Sequence, residues 1–246
     1  MAKPKIACQL IIFGPRNKDD LPGVLKAVAD AGYAGIEGGS SADPKELQKT
    51  LGDLNLELAG IHSGYSSFDD LDDTIAFMKS IDCKLLMCSG VGDMSRGLAA
   101  YEDAAKVFNE VGKKCHDEGI KFCYHNHSWE FKKFDGVVAL EHLYKLTDPK
   151  YVYTCVDVYW VHHGGEDPVE FLTKNLDRVG TVHFKDMKDD TFAEVGEGVI
   201  NFPGIMKVLE QKDDLEWIIV EQDRTNKTPE ESINISRKYI KEKLGL

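Results

Sequence analysis

The stretch KFCYHNHSWEF, residues 121–131, begins as an apolar strand and ends in a crowd of polar side chains. Phe122, Cys123 and Tyr124 suit a strand buried on both faces, as strands of a parallel sheet are. His125, Asn126 and His127 follow at its end, with Glu130 just beyond. In parallel α/β folds ligands bind beyond the C-terminal ends of the strands. Histidine, asparagine and glutamate at that place point to chemistry rather than packing.

The same run recurs along the chain as IACQLIIFG, GIEGG, LELAGIHSG, KLLMCSG, VYTCVDVYWV, VGTVHFKD and WIIVEQD. Between these lie segments of 3.6-residue periodicity, among them LPGVLKAVADAG, DPKELQKTLGDLN, FDDLDDTIAFMKSID and GVVALEHLYKLTD. Acidic or proline residues open many of them, at Asp43-Pro44, Asp69, Asp167-Pro168, Pro203 and Pro229, the expected start signal of a helix. About eight strand–helix units predict an α/β fold, a (β/α)8 TIM barrel, as a single domain over residues 1–246. The structural alternative is a doubly wound open sheet. No GxGxxG follows the first strand, which weakens its dinucleotide-binding version.

A hydrophobic content of 42% suits a soluble globule with a sizeable core. The apolar runs are too short to span a bilayer, and no signal-peptide pattern opens the chain, so a cytoplasmic protein without a membrane partner is expected. The net charge of −12, with no basic cluster, argues against nucleic acid, whose binding gains from displaced counterions. It fits a neutral small-molecule sugar or polyol and a metal cation. The six cysteines form no CxxC pair and are expected as free buried thiols.

Most strand runs end in a residue suited to ligation or proton transfer: Glu37, His62, His125, Asp157, His183 and Lys185, and Glu221 with Asp223. Singly, a strand histidine is usually a hydrogen-bonded core residue and a strand-end carboxylate a helix cap. Asp157 and Glu221, however, each follow several apolar residues, and burying their charges without a cation costs several kcal/mol. One divalent metal ion removes that penalty, and mixed oxygen and imidazole ligands suit Mn²⁺, Co²⁺, Fe²⁺ or Zn²⁺.

YHNHSWEF, VDVYWV, VHFKDMK, VGEGVINF and IIVEQD, in this order, resemble the signatures of the xylose-isomerase-like superfamily of sugar isomerases and epimerases, in its YHNHxxEF branch. The resemblance spans nearly the whole chain. It implies a metal site of one strand-five residue with Asp157, His183 and Glu221. Strand five departs from the pattern: Tyr124 or His125 holds the position where characterised epimerases carry the glutamate. Glu130 is assigned as the fourth ligand, with His125 as its substitute. The resemblance further implies an isomerase or epimerase that removes a proton beside a carbonyl through a metal-stabilised enediolate. Glu130 and Glu221 would be the two proton-transfer groups. His127 and Lys185 would relay protons or hold a substrate oxygen, Lys185 having a salt bridge to Asp186 or Glu221 as its plain alternative. Glu37, His62, His125 and Trp160 are candidate substrate contacts; Phe13 and Tyr65 could pack on a sugar face. His162 and His163, adjacent in sequence, are expected in a loop, as is GEGVIN (196–201). The rival activity is a lyase or dehydratase acting on a keto-sugar, a 3-keto-glycoside or a keto-inositol with the same metal site. Family members are often dimers or tetramers, so a homo-oligomer is allowed.

Overall fold

The structure, a computed structural model, describes residues 3–246. Eight parallel strands close into a barrel: β1 (Lys5–Gln9), β2 (Gly35–Glu37), β3 (Glu57–Gly64), β4 (Leu85–Ser89), β5 (Lys121–His125), β6 (Val152–Asp157), β7 (Val179–Phe184) and β8 (Trp217–Val220). Each pairs with its neighbours in sequence, and β1 closes the ring against β8. The expected (β/α)8 TIM barrel is therefore the observed fold. Among the described residues, no helix is long and apolar enough to cross a membrane.

Two apolar regions hold the barrel. The larger lies between the strands and the surrounding helices and includes Val24, Leu25, Val28, Phe108, Phe122, Val182 and Phe202. The smaller is built from strand residues alone, Ala7, Ala59, Leu85, Met87, Cys123, Cys155, Trp217 and Ile219, and fills the barrel's inside. The six cysteines are free and buried, as expected.

This packing fixes where the chemistry sits. Side chains on a strand alternate between faces. Two residues beyond the inward-facing Met87, Cys123, Cys155 and Ile219 stand Ser89, His125, Asp157 and Glu221. The apolar layer thus gives way, one pleat higher, to a polar layer at the C-terminal rim.

Several local details differ from the sequence pattern. The helix expected over 136–148 starts only at Ala139, because Val137–Val138 pair with Lys133–Phe134 as a small antiparallel ladder. The helix expected from Asp69 begins at Leu71, after a 3-10 segment over Tyr65–Asp70. His162 and His163 end a helix, Val158–His163, rather than lying in a loop. Asp157 opens that helix: its Oδ1 accepts from the Trp160 N–H at 3.1 Å. Asp43 and Asp167 cap helices as their position before proline predicts.

Candidate active site

Four buried side chains from four strands meet at the rim: His125, Asp157, His183 and Glu221 each offer one ligand atom, all within 4.8 Å of one another. Asp157 and His183 are direct partners in the β6–β7 ladder. Glu221 is the first residue beyond β8, and its N–H still donates to the Phe184 carbonyl at 3.1 Å. Three of the four are the residues expected there.

The fourth is a correction. Glu130 is fully buried but stands away from the cluster. One of its oxygens accepts from the Tyr124 hydroxyl and the other from the His127 N–H, both at 2.7 Å. It closes a capping box over the 3-10 turn Ser128–Phe131. Burial raises its carboxyl above the ordinary range, against these hydrogen bonds. Glu130 arrives one turn too late to reach the barrel axis, and His125, ending β5, takes the strand-five place.

Both ring nitrogens of His183 face carboxylates. Nε2 lies 2.7 Å from Glu37 Oε2, and Nδ1 contacts Glu221 Oε2. Two acceptors cannot face each other without a proton or a cation between them, so this arrangement calls for positive charge at Nδ1. His125 Nε2 lies 3.5 Å from Asp157 Oδ2 and 3.4 Å from Glu221 Oε2. Neither of its buried nitrogens has a hydrogen-bond partner among the described residues. Two imidazoles and two carboxylates, with orphaned nitrogens turned to shared oxygens, fit a divalent ion of the Mn²⁺, Co²⁺, Fe²⁺ or Zn²⁺ class.

The electrostatics agree. Three carboxylates are gathered around one ammonium, that of Lys185, which contacts Asp157 at 3.3 Å, Glu221 at 3.1 Å and Asp223 at 2.6 Å, while a fourth, Glu37, lies against His183 and His62. Burial opposes the Lys185 charge, but these carboxylates hold its pKa above the ordinary value. Burial likewise pushes Glu221 and Asp157 up, yet Lys185 and His125 keep both below the usual carboxylate range, with His183 adding to the effect on Glu221. Glu37 is held at about 2 against burial, chiefly by His183. Burial would neutralise His183, but Cys155, Glu37 and Glu221 raise it well above an ordinary imidazole. A deficit of positive charge therefore remains for ring protons or a metal to supply.

Around this centre the other expected residues divide. Lys185 is sandwiched with aromatics, its Nζ 5.1 Å from the Trp160 ring and 5.3 Å from that of Phe192. Its ion pairs include Glu221 but not Asp186. His127 stacks on Trp129 at 4.0 Å, and among the described residues neither its buried Nδ1 nor the buried Trp160 Nε1 has a hydrogen-bond partner. Burial and the neighbouring His125 push His127 down to about 3, which keeps its ring neutral. His62 is half-buried, between Glu37 Oε1 at 3.3 Å and Ser89 Oγ at 3.1 Å. Glu37 is buried beneath, touching two histidines rather than the mouth. Phe13 is core, and Tyr65 packs on Phe68 and Phe108.

Two roles were missed from sequence. Asn126 joins β5 to β6: its Oδ1 accepts from the Asp157 N–H at 3.1 Å and its Nδ2 donates to the Asp157 carbonyl at 3.3 Å. Asp186 accepts the backbone N–H groups of Met187, Gly196, Gly198 and Ile200, which turns GEGVIN from a plain loop into an anchored one. The adjacency of Asn126 to two histidines was its only signal; the anchoring role of Asp186 gave none, since its partners in GEGVIN lie ten or more residues away.

Residues 25–243 match a family model described as a xylose isomerase-like TIM barrel. In sequence the chain is 28% identical to the inosose dehydratase of Clostridium beijerinckii, over 93% of this chain and 94% of that one. Among solved structures it is similar to a sugar phosphate isomerase/epimerase from Parabacteroides distasonis, at a TM-score of 0.84, 24% identity and 98% coverage of both chains. It is also similar to the IOLI protein, solved with a zinc atom bound, at a TM-score of 0.76, 14% identity and 96% coverage of both chains.

Proposed function

The chain belongs to the xylose isomerase-like TIM barrel family, and from that premise we propose that it is a lyase that removes water from a neutral keto-polyol ring of the inosose type. The isomerase or epimerase favoured by the signatures and this dehydratase share their first step, loss of a proton beside a carbonyl. They differ in what must stand nearby. An epimerase needs two proton-transfer groups on opposite faces of the substrate. An elimination needs one base and an acid for the departing hydroxyl.

The observation that carries the dehydratase reading is the exchange of Glu130 for Lys185 at the centre. Glu130, the second base of the epimerase scheme, has both oxygens occupied elsewhere. A charged Lys185 instead lies against the cluster carboxylates. The inosose dehydratases among the relatives support the same choice.

A divalent ion held by His125, Asp157, His183 and Glu221 would polarise the substrate carbonyl. Glu221, whose side chain keeps 8% exposure while His183 and Asp157 have none, is the group that reaches the mouth and takes the proton. The C–H pair then forms the new C=C bond as the C–O bond to the next carbon breaks. Lys185 gives a proton to the departing hydroxyl, which leaves as water. His127 Nδ1 and Trp160 Nε1, without hydrogen-bond partners among the described residues, hold substrate hydroxyls. His62, whose ring lies 5.1 Å from that of His125, stands beside the cluster.

The test is incubation of the metal-loaded protein with a keto-inositol in D₂O, followed by mass and NMR analysis. Loss of one water with formation of an enone is expected. Deuterium in a recovered epimer without loss of water would return the chain to the isomerases.

A further inference from the structure

Glu37 has a place in the site that its expected role at the substrate does not explain. It is 1% exposed. Its two oxygens are divided between two histidines, Oε2 with His183 Nε2 at 2.7 Å and Oε1 with His62 Nδ1 at 3.3 Å. An ionised carboxylate only accepts hydrogen bonds, so His183 must carry a hydrogen on Nε2. In a neutral ring the lone pair is then on Nδ1, the nitrogen that faces Glu221 and the cluster. β2 delivers this carboxylate at its last residue, which is level with Gly60 of β3.

We propose that Glu37 is a positioning residue of the metal site: it fixes the tautomer and ring orientation of His183 from behind, so that Nδ1 points its lone pair at the ion. The same carboxylate ties that histidine to His62, and His62 in turn to Ser89 Oγ at 3.1 Å. A chain of hydrogen bonds thus runs from the half-exposed rim over β3 and β4 to the buried ligand on β7. Histidines that bind metals are commonly oriented by such an outer carboxylate, and its loss weakens binding by about 10- to 100-fold. The inference rests on the metal part of the proposed function and not on the reaction.

The experiment compares metal-free wild type with Glu37→Gln and Glu37→Leu. Zinc affinity is measured by competition with a chromophoric chelator, and ¹⁵N-histidine NMR of the zinc-loaded proteins separates Nδ1–H from Nε2–H rings. Zinc binding about 10- to 100-fold weaker in Glu37→Leu is expected, and a smaller loss in Glu37→Gln, whose amide oxygen can still accept from one histidine. His183 of the wild type should show Nε2–H with zinc on Nδ1. If Glu37→Leu does not fold, Glu37→Gln carries the comparison. Affinities within twofold of wild type, zinc on Nε2, or a raised KM at unchanged zinc affinity would each overturn the proposal, the last by making Glu37 a substrate contact. Wild type that binds no zinc would overturn it together with the site. Failure of the elimination, with the affinities shifted as described, would remove the reaction and leave this role standing.

Discussion

Asn126 shows how much a single side chain does at this rim. Its amide bonds both the N–H and the carbonyl of Asp157, so the ligand's backbone is set by a residue on the neighbouring strand. Replacing it by alanine leaves the buried Asp157 N–H without a partner, a penalty of about 1–3 kcal/mol. Asn126→Ala should lower the midpoint of chemical denaturation by a corresponding amount in metal-free protein. An unchanged midpoint would mean that the strands hold their register without it. His125 illustrates the converse. Neither of its ring nitrogens has a hydrogen-bond partner among the described residues, and its Nε2 is turned to oxygens of Asp157 and Glu221 at 3.5 and 3.4 Å, which is explained by an ion it could share with them.

The alternation of strand and helix was legible in the sequence because each strand is buried on both faces and each helix on one. β7 is the clearest case, with all six of its residues buried. Asp157, His183 and Glu221 were legible for the same reason: a charged or polar residue after an unbroken apolar run has no cheap structural explanation. Glu130 misled because sequence distance does not show the turn. The chain leaves the barrel axis at His127 to form the 3-10 segment, and the glutamate folds back on its own cap. The role of Glu37 was hidden because its partner is 146 residues away. Where strands pack closely, small residues are obligatory. A Cβ on Gly180 of β7 would lie 2.5 Å from Cys123 Sγ and 3.0 Å from Tyr153 Cβ, inside the barrel. Gly180→Ala should therefore cost about 1–3 kcal/mol through overpacking, read as a lower thermal midpoint. A midpoint at or above the wild-type value would show that the β5–β6–β7 wall can yield.

Taken together, the barrel gathers acidic groups from distant strands and balances them incompletely. In the metal-free protein His183 holds its proton well above the usual imidazole range, against burial, with Cys155, Glu37 and Glu221 favouring the charge. Burial pulls His125 down, but Asp157 and Glu221 leave it raised too. A metal must displace these protons, so its affinity should climb as pH rises and level off once both rings are neutral. Calorimetric titration in buffers of different ionisation enthalpy should detect protons released on binding. An affinity independent of pH, with no proton release, would contradict the ligand set. The same ion, binding the folded chain alone, should raise the melting temperature with concentration.

The most direct test is diffraction from crystals of the Mn²⁺-loaded protein, measured near the manganese absorption edge. A single anomalous peak is predicted among His125, Asp157, His183 and Glu221, with Glu37 against the far side of the His183 ring and Glu130 uncoordinated. A peak bound by Glu130, or none between those four side chains, would contradict the site and the chemistry built on it.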